Sequence, residues 1–395
     1  MRINGKKERK MLKNCVAVLD VGSSKISVLV GQRGVNDTLT VKHMVGRKYD
    51  GFAEGKFLDV TGLEEAVSSA IKEVRDVLKT KITEITVGVP GTFVRLENRK
   101  YKLVFEKKKR IGSGDIDDLF NAGQSLVETE GFEIINRSEI YFALDDNRRV
   151  FDPVGDSSSM LGGYLCYTLC EKYFTDTLRN ILKRSGIQTV SFVFEGIAEN
   201  LFFFDERARE TPSLVIDCGY ITTTAFFTLG KGLIAKHSED FGSGLMEFWM
   251  VKSLGISSGV ADKLQRMLNL SLTKPAEQTY KVEAQNGYDE YSAEEINSAA
   301  FETIDAYVEN LEAFIAENSN RLKSGFGVYI TGGGMSYIRG IREYLSSKLG
   351  VPVDILKPKI PSYSKPEDAA ELSVLDYALA KKEEKKGLWS FFRLR

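Results

Sequence analysis

The stretch that constrains this chain most is residues 16–31, VAVLDVGSSKISVLVG, where two apolar runs flank a short polar turn. Runs of this length broken by Gly and Ser predict a β-hairpin with buried strands. Asp20 closes the first strand, and the turn of Gly22, Ser23, Ser24 and Lys25 gathers backbone N–H groups, two hydroxyls and an ammonium. That set suits an anion, with Asp20 placed to hold a hydrated cation beside it. An ordinary hairpin with a polar turn is the plain alternative. Against it, residues 214–229, LVIDCGYITTTAFFTL, repeat the plan of apolar strand, acid, Gly-containing polar turn and apolar strand. Asp217 answers Asp20, and Gly219 to Thr224 form the second turn. Two such hairpins imply an internally duplicated fold. Paired across a cleft, they would surround a polyphosphate and its cation from both sides.

A third element points the same way. A short β-branched strand over residues 328–331 runs straight into Gly332, Gly333 and Gly334, ahead of a helix expected to carry Ile338, Ile341, Leu345 and Leu349. Strand, triple glycine and helix would let a nucleotide press against bare backbone at a helix N-terminus. A tight strand-to-helix turn would read the same way in isolation.

At 395 residues the chain should hold two or more domains with sizeable cores. Lys+Arg 54 against Asp+Glu 55 leaves a net charge of -1, so nothing global points to nucleic acid. The basic run Lys107 to Arg110 reads as a solvated turn, since no aromatic residue interleaves with it. Cys15, Cys166, Cys170 and Cys218 lack the paired spacing of a zinc site and do not make a disulfide scaffold, so they read as reduced, cytosolic thiols. Neither a signal peptide nor a membrane span fits the sequence. Residues 1–14 read as a basic arm, with Met11 a possible second start.

The rest of the chain divides by texture. Residues 15–90 read as strand, strand, strand, helix, strand, with Thr61 and Glu64 as a capping box and Leu63, Val67, Ala70, Ile71, Val74 and Leu78 on one helical face. Residues 91–168 are charged and turn-rich around a helix expected over 115–130, which marks an inserted α+β subdomain. Residues 169–195 return to the first lobe through a helix capped at Gly186, and 196–242 open the second. Glu195 stands among small and apolar residues, where a carboxylate is either a general base or a buried structural acid. Residues 243–325 are mainly helical, with a capping box at Ser292 and Glu295 and a loop or short hairpin over 274–291. Residues 326–380 return to the second lobe. Residues 381–395 join a charged linker to GLWSFFRLR, where Leu388, Trp389, Phe391, Phe392 and Leu394 cover a broad helical face beside Arg393 and Arg395. That pattern suits insertion at an anionic membrane surface, the alternative being a terminal helix docked on the protein's own core.

With these parts in order, the chain resembles the actin, sugar-kinase and DnaK-type ATPase superfamily and, within it, the FtsA family of bacterial division proteins. DVGSSK is close to that superfamily's first phosphate motif, YITGGGMSYIRGIREYL to its adenosine motif, residues 91–168 with DPVG to the distinctive extra subdomain, and GLWSFFRLR to the membrane-targeting helix. The resemblance implies an α/β, actin-like duplicated fold that binds ATP and Mg2+ between two lobes. It implies self-assembly into filaments at the cytoplasmic face of the membrane at the division site. The helical lobe would capture the FtsZ C-terminal tail, and the inserted subdomain would meet other division proteins. Residue by residue, Asp20, Gly22, Ser23, Ser24 and Lys25 match the first phosphate loop and Asp217, Gly219, Thr222 and Thr223 the second, with Asp20 and Asp217 holding the metal through water. Gly332, Gly333, Gly334 and Met335 match the base-contacting turn, and Glu195 falls where a water-orienting residue often stands. The chain departs from the pattern at Tyr220 and Ile221, which replace a glycine run, and at Thr224, where a second aspartate is common. Asp262 and Gln265 occupy the ribose-side positions that usually hold Glu and Lys. A PilM-type pilus scaffold shares the core, and a sugar kinase would need a substrate-cleft acid for which no motif is evident.

Overall fold

The computed structural model describes residues 14–284, 287–322 and 325–392, with residues 385–392 as backbone alone. The chain opens with the hairpin β1 (Val16–Val21) and β2 (Lys25–Arg33), followed by β3 (Leu39–Lys48) and a small ribbon, β4 (Phe52–Ala53) and β5 (Lys56–Phe57). Helix α1 (Val60–Leu78) leads to β6 (Glu84–Val89). The cap of α1 is Asp59, whose carboxylate accepts from Thr61 N, rather than the expected box of Thr61 and Glu64. Glu64 instead pairs with Arg184.

The inserted layer runs from β7 (Val94–Arg110) through α2 (Ser113–Gln124), β8 (Phe132–Ala143) and β9 (Arg149–Val150) to β10 (Ser157–Glu171). Its sheet has the order β7-β10-β8-β9, with α2 closing a separate core through Leu119, Phe120 and the buried Tyr167. Helix α2 ends at Gln124, six residues before the expected end at Glu130, and residues 127–129 are irregular. The basic run Lys107 to Arg110 is the end of edge strand β7 and not a turn. Lysines on a free edge discourage pairing with another chain. The insert sits on the second lobe through Asn98, which donates to the Leu233 and Ile234 carbonyls at 3.1 and 2.8 Å.

The first lobe resumes with α3 (Lys172–Arg184), β11 (Thr189–Phe194) and α4 (Glu195–Phe203), and Gly186 just past α3 takes the left-handed conformation. The second lobe starts with β12 (Ser213–Cys218), β13 (Thr223–Leu229) and β14 (Gly232–Glu239), then α5 (Ser243–Leu254) and α6 (Ser258–Met267). A polar hairpin of β15 (Thr279–Ala284) and β16 (Gly287–Ser292) precedes α7 (Ala293–Asn318), capped by Ser292. Then come β17 (Gly327–Thr331), α8 (Ile341–Leu349), β18 (Val353–Ile355) and α9 (Ala369–Phe392).

The two lobes carry the same sheet. In the first the order is β11-β6-β1-β2-β3 and in the second β18-β17-β12-β13-β14, read in the same sense. In each, the hairpin's first strand pairs antiparallel with its second and parallel with a later strand, as β1 does with β2 and β6 and β12 with β13 and β17. This is the duplication that the two hairpins foretell.

Strand period decides which way the site acid points. Ala17, Leu19 and Val21 enter the main core, while Val18 on the other face packs with Leu372, Leu375, Ala378 and Leu379 of α9. Asp20 lies on the Val18 face, the face that α9 covers. The last helix also differs from expectation, because α9 continues through residues 381–386, expected as a linker, to Phe392. At 1.5 Å per residue it is a rod about 36 Å long.

Candidate functional site

The two acid-ended hairpins face each other. Asp20 and Asp217 end the first strands of their sheets, and each lies close enough to raise or share the charge of the same neighbours. Asp20 is buried with Oδ1 lacking a hydrogen-bond partner. Its carboxyl is pushed up to about 8 by burial and by the charges of Glu371 and Asp217, against the pull of Lys25. Burial raises Asp217 to about 6. Glu195, the first residue of α4, has Oε1 unpartnered and is held well above the carboxylate range by burial and by Asp20 and Asp217.

Two further acids were not singled out from the sequence. Glu199 lies one helical turn after Glu195, is 1% exposed, and has neither oxygen hydrogen-bonded. Its carboxyl is raised by burial and by Asp217 and Asp20. Glu371 on α9 is equally buried and lies 3.9 Å from Lys25 Nζ. The signal for both was present as a glutamate on an otherwise apolar helical stripe, an arrangement that costs free energy unless a cation or proton compensates it. Such an all-carboxylate oxygen set fits a hard, hydrated divalent cation, though no cluster of three or more ligating side chains in metal-holding geometry occurs among the described residues.

The first turn is polar and tightly built. Tyr49 Oη donates to the Gly22 carbonyl at 2.8 Å and its N–H to that of Ser24 at 3.3 Å, which holds the loop's shape. Ser23 is buried, and its Oγ accepts from Ile221 N at 2.9 Å, so the two turns touch across the cleft. Glu54 N donates to Asp240 Oδ2 at 2.9 Å and makes a second bridge between the lobes.

In the second turn the side chains are largely committed elsewhere. Gly219 N donates to Thr222 O at 2.9 Å. Thr223 donates to the Phe241 carbonyl at 2.6 Å, which turns its hydroxyl into the second lobe. Thr224 meets Ser238 at 2.9 Å beside Gly91, and Lys236 donates to the Gly91 carbonyl at 2.6 Å. Burial lowers that lysine to about 8. Tyr220, in place of a glycine, donates to Glu247 at 3.0 Å and leans over Gly244.

The glycine turn packs on the second hairpin. Gly332 has φ +84°, and a Cβ there would lie 2.3 Å from Asp217 Oδ1; one at Gly334 would lie 2.3 Å from the Gly219 carbonyl. Both positions therefore need glycine for contacts within the protein itself. A Cβ on Gly333 would come to 3.2 Å from Glu367 Cβ in the segment leading to α9. Helix α8 starts only at Ile341, so the expected helix N-terminus is not at the triple glycine, and Ile338 lies in the intervening turn. Met335 is fully buried, so its side chain belongs to the core of the second lobe. Asp262 is paired with Arg266 at 3.0 Å on the exposed side of α6. Gln265 is buried, donating to the Ser243 carbonyl at 2.6 Å, and is occupied by the protein's own backbone.

Of the expected membrane face, Leu388, Trp389, Phe391 and Phe392 fall where only the backbone of α9 is described, and Leu394 lies outside the described residues. Among the described residues, no helix is long and apolar enough to cross a membrane.

Paired sheets, facing acidic hairpins and a glycine turn between them define an actin-like ATPase fold. The PilM–PilN type IV pilus biogenesis complex contains a similar chain, with TM-score 0.62 and 14% identity over 94% of this chain and 99% of that one. MreB5 of Spiroplasma citri bound to ADP is similar with TM-score 0.56 and 12% identity over 95% of this chain and 98% of that one. By sequence the chain resembles cell division protein FtsA: that of Streptococcus pneumoniae is 25% identical over 370 residues, 91% of this chain and 79% of that protein. No family model matches the chain. These similarities support an actin-like division protein.

Proposed function

We propose that the chain is an actin-like division protein that binds ATP with Mg2+ between its lobes and assembles on the cytoplasmic face of the membrane at the division site. There it would tether the tail of FtsZ through its own C-terminal helix. The observation that carries the nucleotide part is the pair of hairpins whose terminal acids, Asp20 and Asp217, face one crevice. The ADP held by MreB5, which shares the fold, is consistent with it. In this reading the Gly22 to Lys25 turn and the Gly219 to Thr222 turn bind phosphates, and backbone at Gly333 and Gly334 meets the base. Asp20 and Asp217 would hold the metal through water, the metal supplying charge neutralisation of the phosphates. Glu195 would orient a water.

The helical lobe offers a place for a partner segment. A cavity of about 1030 Å3 lies between α5 and α7, floored by Leu245, Trp249, Leu254 and Tyr307 and edged by Glu294, Glu295 and Glu302. An apolar floor with a charged edge suits a short amphipathic peptide, and the FtsZ tail is the one assigned to it. The inserted subdomain would be the surface for other division proteins, and further copies of the chain the filament partners. Membrane contact is assigned to residues 387–395 on their composition. The fold alone is shared with PilM, whereas sequence similarity runs to FtsA, so the division reading is preferred to a pilus scaffold.

Co-sedimentation with anionic vesicles tests the tether. Full-length chain should pellet with the vesicles and a chain lacking residues 387–395 should stay in the supernatant; equal pelleting removes the membrane role. A pull-down with an FtsZ tail peptide tests the partner, and calorimetry with Mg-ATP tests the pocket.

A further inference from the structure

Glu371 is out of keeping with its surroundings. On α9 it shares a stripe with Val374, Leu375 and Ala378, the face that packs on the sheet of the first lobe. Its side chain is 1% exposed, burial raises its carboxyl against the pull of Lys25, and beside Lys25 only the Ser27 hydroxyl approaches it as a donor, outside close hydrogen-bond geometry. A carboxyl in such a place is compensated by a cation or by a proton. The cation facing it is Lys25, 3.9 Å away, the only ammonium in the DVGSSK turn. Three more acids, Asp20, Glu367 and Asp368, also act on that lysine. Lys25 therefore lies within the influence of four acidic side chains.

We propose that Glu371 is a built-in anion that holds Lys25 in the place of a nucleotide's phosphate, so that a phosphate must displace it to enter. The inference rests on the cleft being a nucleotide site and goes beyond it in naming what fills the phosphate position of the free protein. In the pair Lys25 already has a counter-charge, so an entering phosphate gains from it only once Glu371 gives it up.

The test uses the full-length protein and Mg-ATP, followed by calorimetry, with thermal melting of each variant as the check on folding. Glu371→Gln keeps the volume and removes the charge, and it should tighten binding by about tenfold, the worth of the ion pair that Lys25 no longer has to give up. Glu371→Asp keeps the charge and should bind as weakly as the parent, which a packing effect would not predict. In a Lys25→Met background the gain from Glu371→Gln should vanish, because the competition is for Lys25. Equal affinity of parent and Glu371→Gln, with Lys25→Met weakening both, overturns the inference and leaves the nucleotide site standing. Absence of binding in both, with intact melting, overturns the inference and the nucleotide reading together. Binding seen only in Glu371→Gln supports the inference most directly.

Discussion

The two hairpins make an instructive pair. Their strands are equivalent in order, direction and register, and each ends its first strand on an aspartate. Their turns are built on different principles. The first is made of small polar residues with a lysine, and its shape is supported from outside by Tyr49. The second contains Tyr220 and Ile221 and is braced from behind by two glycines, Gly332 and Gly334, that let the neighbouring loop press against it. A sheet framework is held by backbone pairing and tolerates few changes, whereas a turn can be rebuilt around whatever it touches. Strand order therefore survived the duplication while loop chemistry diverged.

Mutations that act on one turn and spare the other break this comparison. The largest effect is expected for Gly332→Val, which combines a positive φ with a Cβ contact of 2.3 Å to Asp217. It should cost about 3 kcal/mol or more by denaturant melting. Gly22→Ala, whose Cβ would meet the Lys25 carbonyl at 3.0 Å and Asp20 Oδ2 at 4.0 Å, should cost about 1 kcal/mol. Equal costs would mean that the two turns are braced alike.

Next in size is Asp217→Ala, which should weaken Mg-ATP binding by about tenfold, since one good polar interaction is worth about 1.4 kcal/mol. Unchanged affinity would show that the second hairpin is not a phosphate loop. A smaller gain, about threefold, is expected from replacing Tyr220 and Ile221 together with glycine, which clears side chains from the cleft and returns bare backbone to it. No gain would mean that these side chains never crowd the ligand.

The smallest effect is a pH slope. Asp20 is raised from its ordinary 3.8 to about 8, so the folded protein keeps a proton that the unfolded chain releases. The stability this contributes is full below about pH 4 and is lost as pH rises through about 8. Glu195 and Glu199 are shifted in the same direction and add to the slope. The melting temperature should fall between pH 6 and pH 9, and Asp20→Asn should flatten that fall. A flat profile for the parent would mean that the cleft acids are solvated in the folded state.

Much of the fold is legible in the order of residues. Apolar runs with acid-ended polar turns, β-branched strands and the amphipathic stripe of α7 are local signals, and the strands and helices they predict are present. Boundaries set by side-chain partners were less legible: Asp59 took the cap expected of Thr61, and α9 ran on through Lys381 to Lys386, where charge alone reads as a linker. Among the site residues, Asp20, Ser23, Lys25 and Asp217 lie at the cleft, but Thr223 and Gln265 are turned inward by carbonyls that no local pattern reveals.

By itself the sequence determined the duplicated strand plan and an aspartate near the end of each hairpin's first strand, because alternation and turn chemistry act between near neighbours in the chain. Only the tertiary structure decided that Glu371, 346 residues after Lys25, would stand beside it. Contacts between distant segments depend on how helices lie on sheets, and a single glutamate on an apolar stripe gives no hint of which cation it will meet.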